Sequence, residues 1–165
     1  LKTLYLVRHS KSSWDINGIA DRDRPLKGRG IRDAHLMSAF VLENLDDDAS
    51  VGMYSSPATR ALHTSLIFTK NFGLPAGAIH IEDALYHCTP DDLHAQVKKI
   101  DHRYSDAFMF VHNPGITEYV NRLTDARIDN VPTTGVVCMR FDCEHWDEVG
   151  KQAELIHFQY PKKLK

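Results

Sequence analysis

The sequence predicts an α/β protein: a three-layer α/β/α sandwich around a mostly parallel sheet of about six strands, in one domain spanning residues 1–165. Three observations carry that prediction. Short uninterrupted apolar runs, Leu4–Val7 and Ala107–Val111, read as strands buried on both faces. Segments with a single apolar stripe at helical spacing alternate with them. Ser, Thr or Asn followed by Pro marks three of the junctions, which suits a helix start after a strand. Strand–helix alternation of this kind implies right-handed crossovers and a parallel sheet with helices on both faces.

Taken in order, the first strand covers Leu4–Val7 and runs into Arg8-His9-Ser10. A charged loop follows, Lys11–Arg24, ending where Pro25 disfavours helix at Arg24. From about Lys27, Ile31, Ala34, Met37, Val41 and Leu45 form one helical stripe, closed by Asp46-Asp47-Asp48. Val51–Tyr54 is the second strand. Ser56 then suits an N-cap and Pro57 a first helical position, with Ala58, Leu62, Leu66 and Thr69 on one face of a helix reaching about Phe72. Ile79–Ile81 is a weak third strand. Thr89 caps a helix with acids in its first turn and Leu93, Val97 and Ile100 buried. Ala107–Val111 leads into His112-Asn113-Pro114-Gly115, where Asn113 can cap and Pro114 can start a helix through Ile116, Val120 and Leu123. Val136–Phe141 and Glu154–Gln159 are two late strands joined by a hairpin turn, so one of them runs antiparallel. The basic end, Pro161–Lys165, reads as solvated.

Composition narrows the class of function. A formal net charge of −2 gives no electrostatic case for nucleic-acid binding. Three cysteines, Cys88, Cys138 and Cys143, are too few for a disulfide framework and fit a reducing compartment. No apolar stretch reaches the length of a membrane span and no export signal opens the chain, so the cytoplasm is the expected location. Cys138, Cys143 and His145 lack a fourth ligand at metal-site spacing, and no metal or cofactor is expected. Gly28-Arg29-Gly30 fails as a dinucleotide fingerprint because residue 33 is Asp33.

The chemistry gathers at the strand ends. In a parallel sheet, ligands bind beyond the carboxyl ends of the strands. Arg8-His9 alone is equally an ordinary strand end. With Arg60 in the first turn after the second strand and His112 after the fourth, two arginines, two histidines and two helix N-termini reach one edge. Guanidinium groups and free helix N–H groups suit phosphoryl oxygens, and an imidazole in line with phosphorus can attack it.

Four motifs stand in order: Leu6-Val7-Arg8-His9; Arg24-Pro25-Leu26 with Gly30 and Ala34; Ser55-Ser56-Pro57-Ala58-Thr59-Arg60-Ala61 with Thr64; and His112-Asn113-Pro114-Gly115. Together they resemble the histidine phosphatase superfamily, which includes the cofactor-dependent phosphoglycerate mutases. Size and spacing are most similar to its compact SixA-type phosphohistidine phosphatases. The resemblance implies a phosphoglycerate mutase-like fold and a phosphorylated intermediate on His9. It also implies phosphate contacts from Arg8, Arg24, Arg60 and His112, with the backbone N–H of Asn113 as a further donor. The larger members' insertion carrying an acidic proton donor is missing after Ile81. Candidates for that role are Glu82, Asp83 and His87 from this region, and Asp21 or Asp23 from the first loop. Trp14 and Tyr86 flank the pocket or pack in the core or rim. The expected activity is a metal-independent phosphatase acting on a phosphohistidine-bearing protein. The alternatives are small phosphomonoesters as substrates, or a relative that binds phosphate without turnover.

Overall fold

The computed structural model describes all residues, Leu1–Lys165. Strand β1 (Lys2–Arg8) lies inside a six-stranded sheet with β2 (Val51–Ser55), β3 (Ile79–Ile81), β4 (Asp106–Val111), β5 (Val136–Phe141) and β6 (Glu154–Gln159). The spatial order is β3-β2-β4-β1-β5-β6. Strands β1 to β4 are mutually parallel; β5 runs antiparallel to both β1 and β6. This is the mostly parallel sheet the sequence predicts, with the late hairpin supplying the one reversed strand.

Side-chain alternation along β1 explains its uninterrupted apolar run. Leu4 and Leu6 point into one core, with Met109, Val111, Val137 and Met139 from the neighbouring strands. Tyr5 and Val7 point into the other, with Met53, Phe108, Phe110 and Val136. Helices α3 (Pro90–Val97) and α4 (Gly115–Leu123) cover the first face with Leu93, Val97, Ile116, Tyr119 and Val120. Helices α1 (Gly28–Asn44) and α2 (Thr59–Asn71) cover the second with Ala34, Met37, Val41, Ile67 and Phe68. The result is the three-layer sandwich.

Several local expectations hold and others are corrected. Thr89 caps α3 in a reciprocal capping box with Asp92. Helix α2, however, starts at Thr59 rather than Pro57, and Ser56 is not its N-cap. The face of α2 that turns inward carries Ala61, Thr64, Ser65 and Phe68, whereas Leu66 faces solvent. The reason is that this face serves the polar edge of the sheet as well as the core. Helix α4 starts at Gly115, and the Asn113 side chain accepts a hydrogen bond from the Thr117 hydroxyl instead of capping backbone amides. The β5–β6 connection reverses the chain as a hairpin, and it also buries Trp146 completely and ties its indole N–H to the Tyr104 carbonyl at 2.9 Å. The basic end is not simply solvated either. Pro161–Leu164 forms a short helix, α5, and Lys165 reaches the buried carboxylate of Asp33 at 2.9 Å.

Parallel register brings the functional segments level. Arg8 pairs with Val111 and Ser55 with Phe110, so His9, Ser56 and His112 each follow directly at one sheet edge. Backbone bonds extend the alignment past the strands: His9 N–H donates to Val111 and Ser56 N–H to Phe110. The reversed strand β5 begins at this same edge, placing Val131–Gly135 beside Arg8 and His9. No helix is long and apolar enough to cross a membrane.

Candidate active site

A cavity of about 330 Å³ opens at this edge. Arg8, His9, Arg24, Arg60, His112 and Asn113 all line it, as do Asp21, His87, Lys11 and Trp14. Four cations therefore face one carboxylate. Asp23, Glu82 and Asp83 do not line the cavity. Asp23 is exposed on the far side of a 3-10 turn, Asp21–Asp23, which turns Asp21 inward instead. Glu82 only precedes a second 3-10 turn, and Asp83 reaches out to Arg22. Of the proposed proton donors, Asp21 and His87 alone share the cavity with His9.

The His9 ring is buried, and its Nδ1–H donates to the Ser10 carbonyl at 2.8 Å. A carbonyl can only accept, so in the neutral ring Nδ1 keeps the proton and Nε2 keeps the lone pair. Burial, helped by Arg60, Arg8 and Arg24, lowers the His9 pKa to about 4, although the Ser10 carbonyl pulls the other way. The imidazole is therefore neutral at neutral pH, with its lone pair on Nε2. The loop behind it is pinned. Ser10 N–H donates to the Thr64 hydroxyl at 2.9 Å, and the hydroxyls of Ser10 and Thr134 meet at 2.7 Å.

The His112 ring centre lies 5.2 Å from that of His9. Its Nε2 meets the Ser56 hydroxyl at 2.8 Å, and the same oxygen accepts from the Ala58 N–H at 3.2 Å. Ser56 can thus donate its own hydrogen to Nε2, which leaves the His112 proton on Nδ1. Burial first, then His9, Arg60 and His87, push the His112 pKa down to about 2.

Arg60 is 2% exposed and Arg24 is 6% exposed, so both guanidinium groups are held away from water. Asp21 ties them together. Arg60 donates to the Asp21 backbone carbonyl at 2.7 Å and to its carboxylate at 3.1 Å. Arg24 donates to the other carboxylate oxygen at 3.1 Å and to the Ser12 hydroxyl at 2.6 Å. Tyr86 O–H adds a bond to the carboxylate at 2.8 Å. Burial opposes ionisation of Asp21, but the bonds from Tyr86, Arg60 and Arg24 outweigh it and hold the carboxyl well below the usual carboxylate range. Trp14 is 73% exposed and lays its ring over the Arg24 guanidinium, 3.4 Å from the ring centre. Trp14 thus lines the cavity, whereas Tyr86 does not and reaches it through Asp21.

Arg8 donates to the Val131 carbonyl at 2.9 Å, and Asn113 reaches the same carbonyl at 3.0 Å. Five buried side-chain polar atoms in the whole protein lack a hydrogen-bond partner; three of them are Arg8 Nε, Arg60 Nε and His112 Nδ1. Orphaned buried donors are rare, and all three belong to residues that line this one cavity, where three guanidinium groups and Lys11 face a single carboxylate.

The model of the histidine phosphatase superfamily (branch 1) matches residues 4–120. The chain belongs to the histidine phosphatase superfamily. Membership supports phosphatase activity. The uncharacterized protein Rv1276c of Mycobacterium tuberculosis is 30% identical over 94% of this chain and 100% of its own length. The protein histidine phosphatase SixA, solved with tungstate, superposes with a TM-score of 0.80 at 18% identity, covering 99% of each chain. The mycobacterial glucosyl-3-phosphoglycerate phosphatase, solved with VO3, gives 0.70 at 10% identity over 97% of this chain and 100% of that one. These two likenesses establish a shared phosphoglycerate mutase-like fold.

Sequence reasoning misses three contributors to this histidine phosphatase site. Ser56 reads as a helix cap and instead holds His112. The Val131 carbonyl and Thr134 carry no signal, because a backbone oxygen and a lone hydroxyl gain meaning only when β5 brings them to Arg8 and Ser10. Asp21 is visible as a charge, but Asp21-Arg22-Asp23-Arg24 does not say which carboxylate turns inward.

Proposed function

We propose that this protein is a metal-independent phosphatase that works through a phosphohistidine on His9 and acts on phosphohistidine-bearing proteins. The observation that carries the reading is one cavity that gathers Arg8, Arg24, Arg60 and His112 around a neutral His9 whose Nε2 is free. Their charge and N–H groups suit the charge spread over the three equatorial oxygens of a phosphoryl group. In the first step Nε2 of His9 attacks phosphorus in line and the bond to the leaving group breaks. Arg8, Arg60, His112 and Arg24 neutralise the charge on the phosphoryl oxygens, and the Asn113 backbone N–H is a further donor. In the second step water attacks the phosphohistidine, and orthophosphate leaves. The oxoanions bound by the two solved relatives are consistent with this use of the pocket.

Small phosphomonoesters are the second reading, favoured by the fold shared with a glucosyl-3-phosphoglycerate phosphatase. Trp14 is the one apolar side chain among the twelve lining residues, so the walls offer little to an apolar leaving group. Turnover compared on a phosphohistidine protein, a phosphoserine peptide and small sugar phosphates tests the assignment. Preference for the phosphohistidine protein is expected; a sugar phosphate turned over more efficiently sinks it. Trapping of labelled phosphate on His9 distinguishes an enzyme from a binding relative. Chelator treatment should leave the rate unchanged.

A further inference from the structure

Resting on that reading of His9 as nucleophile, we infer that His87 is the proton donor to the leaving group and that Asp21 is the positioning residue that holds it at the cavity. The ring of His87 lines the cavity, 5.3 Å from the His112 ring centre and 4.1 Å from that of Tyr86. Its Nε2 lies 3.3 Å from the Asp21 carboxylate, and its Nδ1 has no partner in the protein. Asp21 receives that contact on the oxygen that already accepts from Arg60 and Tyr86. One carboxylate therefore sets the distance between the phosphate-binding guanidinium and the imidazole.

The backbone argues for the same placement. His87 has φ +50, the left-handed region that costs a non-glycine residue conformational energy, and the next turn is fixed by the Thr89 cap of α3. That conformation turns a polar ring toward the cavity mouth. Asp21 itself is a poor donor, because its carboxyl stays ionised among Tyr86, Arg60 and Arg24. The other charged groups facing His87 are Arg60 behind Asp21 and Arg22, whose guanidinium lies 5.9 Å from the Tyr86 ring centre.

The proton balance closes. As His9 Nε2 bonds to phosphorus, the bond from phosphorus to the leaving atom breaks and its electron pair takes a proton from the His87 imidazolium. In the second step the neutral His87 receives a proton from the attacking water as the N–P bond breaks, and the electron pair returns to His9.

Leaving groups separate this role from a structural one. p-Nitrophenolate departs unaided, whereas the alkoxide of glycerol phosphate needs a proton. Phosphoenzyme formation should be timed by rapid mixing and alkaline quench, because phosphohistidine is labile in acid. His87→Gln should slow formation from glycerol phosphate about 100-fold and from p-nitrophenyl phosphate less than about threefold. Asp21→Asn should reproduce part of that selective loss, and the double variant should be no more selective than His87→Gln alone. Equal slowing on both substrates overturns the role of His87. Independent, multiplying selectivities overturn the role of Asp21. Failure of the wild type to label His9 would instead remove the underlying mechanism.

Discussion

The imidazole of His9 and the carbonyl of Ser10 stand 2.8 Å apart, and this contact between adjacent residues decides which ring nitrogen keeps its lone pair. It has a consequence for pH. A nucleophilic His9, as proposed, must be neutral in the free enzyme, and burial beside Arg60, Arg8 and Arg24 lowers its pKa from 6.5 to about 4. The acid limb of kcat/KM should therefore fall near pH 4 instead of near 6.5. A pH–rate profile with an aryl phosphate checks it, and a limb at the ordinary histidine value contradicts the burial argument.

Stability should follow the same two histidines. His9 and His112 titrate near 6.5 in the unfolded chain but at about 4 and about 2 when folded. Between the folded and unfolded values the unfolded state binds more protons. Their contribution is thus complete above pH 6.5 and is lost as pH falls, at about 1.4 kcal/mol per pH unit for each ring. Denaturant midpoints at pH 7.5, 6 and 5 should decline in that order. Replacing His112 by Gln should flatten the slope.

Arg60→Lys should not rescue Arg60→Ala. Both should lower kcat/KM by about 100-fold or more, because a lysine has one nitrogen where Arg60 grips Asp21 with two. Steady-state kinetics on p-nitrophenyl phosphate measures the loss.

Ser56→Ala should reduce kcat by roughly 10-fold with little change in KM, since His112 keeps its place but loses the partner that sets its tautomer. Stability should drop by about 1–2 kcal/mol, because the Ala58 N–H loses its acceptor too. Equal activity of variant and wild type would show that His112 needs no such partner.

Gly30→Ala should destabilise the fold by about 1–3 kcal/mol, as an added methyl would overlap the Lys11 carbonyl where α1 crosses the loop behind His9. Thermal melts of the variant and of Gly77→Ala, whose methyl would meet open space, provide the comparison.

Most of the sheet was legible in the sequence, because a strand buried on both faces leaves an apolar run with no alternation. β1 and β4 show this, and the weak edge strand β3 also lies where it was expected. The stripe of α1 was equally plain. α2 misled the pattern because its inward face carries Arg60, Thr64 and Ser65, which serve the cavity, while Leu66 faces water. Local rules fail where a helix answers to chemistry as well as packing. The cavity-lining places of Arg8, His9, Arg60 and His112 were predictable because each lies at or just after a strand end. Asp21 was not, since its orientation depends on a single turn of a loop.

The antiparallel course of β5 also governs when the site can come into being. β1 has no sequence-local partner; it lies between β4 and β5, so Leu6 pairs with Met109 and Val137. Arg8 is held by Val131, and Ser10 by Thr64 and Thr134. During synthesis β1 has no strand to pair with until β4, about a hundred residues further on, has followed. The complete cavity is therefore a late product of folding, and its appearance on a nascent chain would report that the central strands have closed around β1.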